Sequence, residues 1–147
     1  MRAACYLEDL AIGQSAERRR VVTAADLDAF AAVTGDDKPV HLDEAYAATT
    51  PFGGRIAHGM LGAGYISAVL GTQLPGPGAI YVSQTLFFRR PVRIGDEVTA
   101  RATVSAIDER RGRVTLATVC EVGGKPVVEG EAVVIAPKRP SPERPAA

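Results

Sequence analysis

The chain has 147 residues, 46% of them hydrophobic and 23% charged, which fits one globular domain that buries its own core without disulfide or metal cross-links. Seventeen basic and seventeen acidic residues cancel to a formal net charge of zero, so nothing draws the chain to nucleic acid or an anionic membrane. Aromatic residues make up only 5%, too few for a base-stacking platform. Cys5 and Cys120 lie far apart without metal-ligand spacing and read as free thiols in a reducing, cytoplasmic setting. The start MRAACYLEDL lacks the apolar stretch of a signal peptide.

Residues 15–22, SAERRRVV, read as a charged strand or edge segment. Thr23 then opens a helix with Asp26 three residues on, a capping-box pattern with the shorter acid. Leu27, Phe30, Ala31 and Thr34 share one face of it, and Gly35 ends it. The loop TGDDKPVH follows, residues 34–41. Asp43 is placed to cap a short helix, and TTPFGG is rich in turn formers. The stretch HGMLGAGYISAVLGTQL, His58 to Leu74, reads as a helix apolar almost all round, expected in the interior. No Asp, Glu, Lys or Arg occurs from Ile56 to Phe88, yet PGPG at 75–78 leaves the helix short of the ~20 residues a bilayer requires.

After PGPG the period changes to two. Residues 79–90, AIYVSQTLFFRR, are expected as one long apolar strand. In EVTARATVS, Val98, Ala100, Ala102 and Val104 face one way. In RVTLATVCEV, Val114, Leu116, Cys120 and Val122 share a face, and Gly123-Gly124 signals a two-residue hairpin into PVVEGEAVVI. ERRGR reads as a further turn. Residues 1–136 are expected to form the domain, and residues 137–147, proline-rich and polar, a disordered tail. One helix followed by four strands on short turns is an α+β pattern, solved economically by an antiparallel sheet curled around the helix. The edges of such a sheet invite pairing with a second copy.

Chemistry concentrates in few places. Asp36 and His41 lie five residues apart, with Pro39 stiffening the loop between them. Such a pair can clamp one water, one group taking a proton while the other gives or orients; alternatively the aspartates cap a turn and His41 is a surface histidine. Gly59, after His58, opens the apolar helix, where unpaired N–H groups suit an oxyanion hole, or simply a flexible entry. Ser67 either back-bonds to its own helix or points its hydroxyl into a pocket; no G-x-S-x-G elbow surrounds it. Two histidines without a cysteine partner are a poor metal set, so no metal is expected, and GxGxxG is absent. Arg89, Arg90 and Arg93 read as phosphate contacts or a solvated strand end.

GDDKPVH, HLDEAYAATT, GGRIAHGML and FFRRPVRIGDEV, in that order, resemble the MaoC-like (R)-specific enoyl-CoA hydratases, especially the short single-domain type linked to polyhydroxyalkanoate synthesis. The resemblance runs from about Thr23 to Ile135. It implies a hot-dog fold, a homodimer, and reversible hydration of a trans-2-enoyl-CoA to an (R)-3-hydroxyacyl-CoA. It places the catalytic pair on Asp36 and His41, the carbonyl-holding N–H on Gly59 and a supporting serine on Ser67. It implies no separate cofactor, since CoA belongs to the enoyl-CoA thioester substrate, and neither nucleic acid nor membrane as partner. In the family's Gly-Asp-x-Asn-Pro-aliphatic-His motif, Lys38 stands where asparagine is usual, and an ammonium donates hydrogen bonds but cannot accept them. The rival readings are an acyl-CoA thioesterase on the same fold and a non-catalytic acyl-CoA-binding subunit.

Overall fold

The computed structural model describes residues 5–141. A 3₁₀ turn at Leu7–Asp9 leads to strand β1 (Ser15–Val21), and helix α1 (Ala24–Thr34) follows. Thr23 Oγ1 accepts from the Asp26 N–H at 3.2 Å, and Asp26 Oδ2 accepts from the Thr23 N–H at 3.0 Å, closing the capping box. The Arg20 guanidinium reaches the same carboxylate at 2.5 Å and holds it below the usual carboxylate range. Gly35 ends α1 in the left-handed region at φ 81°, a conformation that only glycine takes without strain.

Two short helices come next, α2 (Pro39–Leu42) and α3 (Glu44–Ala48), the first started by a proline whose missing N–H is no loss there. Asp43 caps α3 by accepting from the Tyr46 N–H at 3.0 Å. Helix α4 (Gly59–Thr72) lies across strands β4 (Glu97–Asp108), β5 (Arg113–Val122) and β6 (Lys125–Ile135). Their inward residues alternate as the period-two pattern requires: Val98, Ala100, Ala102 and Val104 on β4, then Val114, Leu116 and Cys120 on β5. Gly123 and Gly124, both at positive φ, turn β5 into β6. The sheet is antiparallel in the order β1-β4-β5-β6-β2, where β2 is Ile80–Gln84, and with α4 on its concave face it is the hot-dog arrangement.

Two expectations need correction. Helix α4 is not buried all round: Ile66, Val69 and Leu70 are covered, whereas Gly64 and Ser67 are exposed and Met60 is 53% exposed. A single sheet has one concave face and covers one stripe of a helix. Residues 79–90 form two strands, β2 (Ile80–Gln84) and β3 (Phe87–Phe88), both on β6. Between them the Thr85 carbonyl crosses so close to Gly130 that a Cβ there would sit 1.8 Å from it, so the ladder breaks where β6 has no side chain. Past residue 136 the chain makes contacts with the first turn. The Pro137 carbonyl accepts from the Leu7 N–H at 2.8 Å, the Arg139 N–H donates to Glu8 Oε2 at 3.0 Å, and the Arg139 guanidinium pairs with Asp9. Acids of the first turn thus hold the start of the expected tail; residues 142–147 lie outside the described residues. Among the described residues no helix is long and apolar enough to cross a membrane.

Candidate active site

The loop between α1 and α2 is tied down from three sides. His41 is buried, and its Nδ1 sits 2.8 Å from the Ile56 carbonyl. A carbonyl only accepts, so Nδ1 carries the proton and Nε2 keeps its lone pair, free of any protein partner among the described residues. Arg55 Nε donates to the His41 carbonyl at 2.6 Å while its guanidinium reaches Asp28 Oδ1 at 2.9 Å, joining the loop to α1. The third tie is His58, the residue before α4. Its Nε2 donates to the Asp36 carbonyl at 2.8 Å, and its ring stacks on His41 with centroids 3.8 Å apart and planes 28° from parallel. Phe30 packs against the His58 ring with centroids 4.5 Å apart. Twenty-two residues of sequence separate Asp36 from His58, and the fold closes them into one unit.

One polar side-chain atom from each of Asp36, His41 and His58 lies within 4.8 Å of the others. The trio has the residue types of a metal set. One nitrogen of each ring donates to a carbonyl, which leaves His41 Nε2 and His58 Nδ1 as acceptors beside the Asp36 carboxylate. Such acceptors beside a carboxylate can hold a hydrogen-bonded water.

Burial pushes the His41 imidazole below its ordinary 6.5; the bond to Ile56 and the charge of Asp36 oppose that, and His58 and Lys38 add to it. His41 is therefore neutral at pH 7 and able to accept a proton. The unfolded chain takes up this proton at higher pH than the folded one, so His41 subtracts stability as pH falls through 6.5 and is without effect above it. An NMR titration of the His41 ring is expected to give a midpoint under 6.5; a midpoint at or above it would contradict the burial argument.

Gly59 begins α4, and its N–H, as the first of the helix, has no acceptor within it. A Cβ here would lie 2.7 Å from Cδ1 and Cε1 of Phe88, so glycine is what lets the helix start pass under that ring. Asp36, His41 and Gly59 line one cleft of about 500 Å³. Exposed Lys38, Arg89 and Arg90 stand at its rim, and Val98, Cys120 and Val128 lie beneath. Lys38 Nζ is 3.7 Å from Asp36 Oδ2 with its side chain 69% exposed, so it approaches the carboxylate from the solvent side. Cys120 Sγ donates to the Gly62 carbonyl at 3.3 Å, and burial pushes its thiol up to about 12.

The structure thus brings together three of the four expected site residues. Ser67 is not among them: it is exposed and lines a separate cleft with Met60, Tyr81 and Gln84, so within one chain its hydroxyl does not face Asp36 or His41. Conversely, His58 figures in the sequence only as the residue before the helix, whereas its ring is the strut of the loop that carries Asp36 and His41. The available signal is that the chain's two histidines flank the same loop-to-helix passage.

This constellation in a hot-dog fold defines a class, and the family model described as MaoC like domain matches residues 9–125; the chain belongs to that family. An (R)-specific enoyl-CoA hydratase of Rhodospirillum rubrum is 54% identical over 134 residues, covering 91% of this chain and 93% of that protein. The solved R-hydratase of Pseudomonas aeruginosa in its unliganded form superposes with a TM-score of 0.89 at 46% identity, covering 98% of this chain and 96% of that one. An (R)-hydratase of Aeromonas caviae involved in PHA biosynthesis gives 0.87 at 48% identity, covering 88% and 99%.

Proposed function

We propose that the protein is a hydro-lyase that adds water reversibly across a trans-2-enoyl-CoA to give the (R)-3-hydroxyacyl-CoA. The observation that carries this is the Asp36–His41 pair sharing one cleft with the Gly59 N–H, which has no partner among the described residues. Water held between the Asp36 carboxylate and His41 Nε2 attacks the β-carbon and loses a proton to the pair. The Gly59 N–H, aided by the positive end of α4, stabilises the negative charge that develops on the thioester oxygen. A proton returned to the α-carbon completes the addition, so neither Asp36 nor His41 changes charge over the cycle. Lys38, Arg89 and Arg90 at the rim offer cations to the CoA phosphates. CoA arrives as part of the substrate, and no other cofactor takes part.

The working form is a homodimer acting in the cytoplasm. In support, one chain exposes Tyr81, Val82, Phe87 and Phe88 on β2 and β3 beside Met60 of α4, a run of large apolar groups suited to a second copy. Light scattering is expected to give twice the chain mass of 15.4 kDa; a monomer at micromolar concentration would contradict this. The likeness to the Aeromonas protein supports a part in polyhydroxyalkanoate synthesis. The deciding experiment follows enoyl-thioester absorbance with crotonyl-CoA, with chiral analysis of the product and a thiol reagent present. Loss of absorbance with an (R)-product supports hydration. Release of free CoA would make the protein a thioesterase, and binding without turnover a non-catalytic subunit.

A further inference from the structure

Three of the chain's seventeen basic residues are lysines: Lys38, Lys125 and Lys138. Lys125 opens β6 and Lys138 lies beyond its end, both exposed. Of the three, Lys38 lines the cleft that holds Asp36, His41 and Gly59. It also stands at the one position where the loop departs from the motif it otherwise resembles. An asparagine there offers no nucleophile; a lysine does. We propose that Lys38 is a self-acylation site: its amine takes the acyl group from an acyl-CoA bound in the cleft, giving an Nε-acyl-lysine that blocks hydration and releasing CoA. The inference rests on the hydratase reading in one respect, that the cleft binds acyl-CoA thioesters.

Three observations carry it. The first is access. The Lys38 side chain is 69% exposed, and its Nζ lies 3.7 Å from Asp36 Oδ2. The amine thus stands beside a carboxylate of the cleft, on its solvent side. The second is how the lysine is held. Pro39 keeps the Lys38 backbone extended, at φ −49° and ψ 135°, and the Lys38 carbonyl accepts from the His41 N–H at 3.0 Å. The backbone is fixed, and the four-methylene side chain alone is free to reach. The third is the pair of groups that the transfer needs. The Asp36 carboxylate can take the proton that an ammonium must lose before it attacks. The Gly59 N–H, in the same cleft, can hold the oxyanion that forms.

The step balances without an oxidant or a further reactant. The ammonium gives one proton to Asp36, and the Nζ lone pair bonds to the thioester carbonyl carbon. The tetrahedral intermediate breaks its C–S bond, and the electron pair leaves on the CoA sulfur, which takes a proton. The nitrogen then sheds its second proton. Thioester and ammonium become amide, thiol and one proton. A bound thioester meets the tethered amine at an effective concentration on the order of millimolar, so at micromolar acyl-CoA Lys38 outpaces lysines that react from solution. The acylated lysine has no charge, so its pair with Asp36 is lost and its acyl tail occupies the mouth of the cleft.

The test incubates the protein with butanoyl-CoA, which cannot be hydrated, and follows each lysine by peptide mass spectrometry. At micromolar butanoyl-CoA, Lys38 is expected to be acylated at least tenfold faster than Lys125 or Lys138. Its rate should saturate as butanoyl-CoA rises, whereas theirs should rise linearly. CoA release should stop near one equivalent per chain, unlike the turnover of a thioesterase. An advantage below tenfold, or a rate that does not saturate, overturns the proposal. Hydration of crotonyl-CoA, relative to the start of the incubation, should fall in step with Lys38 acylation in the parent and hold steady in Lys38→Arg, which keeps the cation but takes no acyl group. A decline in Lys38→Arg at the parent's rate also overturns it. Hydration without selective acylation of Lys38 sinks the proposal and leaves the hydratase reading; selective, saturating acylation without hydration does the reverse.

Discussion

Asp36→Asn and His41→Gln are each expected to lower kcat by roughly 10²- to 10⁴-fold, the range that a positioned acid or base contributes. The two variants differ in what else they disturb. His58 binds the main-chain carbonyl of Asp36, not its carboxylate, so asparagine leaves that contact in place. Asp36→Asn is therefore expected to unfold at the parent's urea midpoint. His41→Gln loses the fixed Nδ1–H bond to Ile56 and the stacking on His58, leaving a buried carbonyl short of its donor at a cost of about 1–3 kcal/mol. Its midpoint should fall, and circular dichroism at 25 °C distinguishes lost chemistry from lost fold. More than a tenth of the parent's kcat in either folded variant would remove that residue from the mechanism.

Gly59→Ala is expected to reduce kcat/KM by about 10²- to 10³-fold, comparable to removing one oxyanion-hole donor. The N–H survives this change, but its surroundings do not. The new methyl would lie 2.7 Å from two ring carbons of Phe88. That ring is 55% exposed on a two-residue strand and gives way more easily than the helix. It moves within the cleft it lines, where the thioester must approach. Stability should change little, so the loss would be one of binding geometry. Gly71→Ala is the matched control: nothing lies within 4 Å of its Cβ, and it should leave activity alone while favouring the helix by up to ~1 kcal/mol. Activity of Gly59→Ala within threefold of the parent would mean that the carbonyl is held elsewhere.

Features governed by neighbouring residues were legible in the sequence. The Thr23–Asp26 box, the left-handed Gly35, the Asp43 cap and the Gly-Gly hairpin are each decided by short stretches. The alternation on β4 and β5 follows from the pleat. The Asp36–His41 spacing was visible too, because a proline-stiffened loop is itself local. What escaped depends on distant segments meeting. Nothing near residue 85 announces that Gly130 will lie under its carbonyl and divide the strand. Nothing in the tail shows that Glu8 and Asp9 will hold Arg139. The apolar sequence of α4 does not say which stripe one sheet covers, so it cannot tell that Ser67 faces outward. The strut role of His58 needs the stacking partner and the Asp36 carbonyl to be in place before it can be seen.

Cys120 carries a consequence for the chemistry of a thioester. Its sulfur lies beneath the cleft where the acyl-CoA would lie, and a thiolate there would take the acyl group from CoA and trap the protein as a covalent adduct. With its thiol pushed up to about 12, only on the order of one molecule in 10⁵ is ionised at pH 7. The bond to the Gly62 carbonyl further engages the S–H in its protonated form. The same burial that packs the sheet against α4 thus silences a thiol beneath the cleft, leaving water as the group that adds.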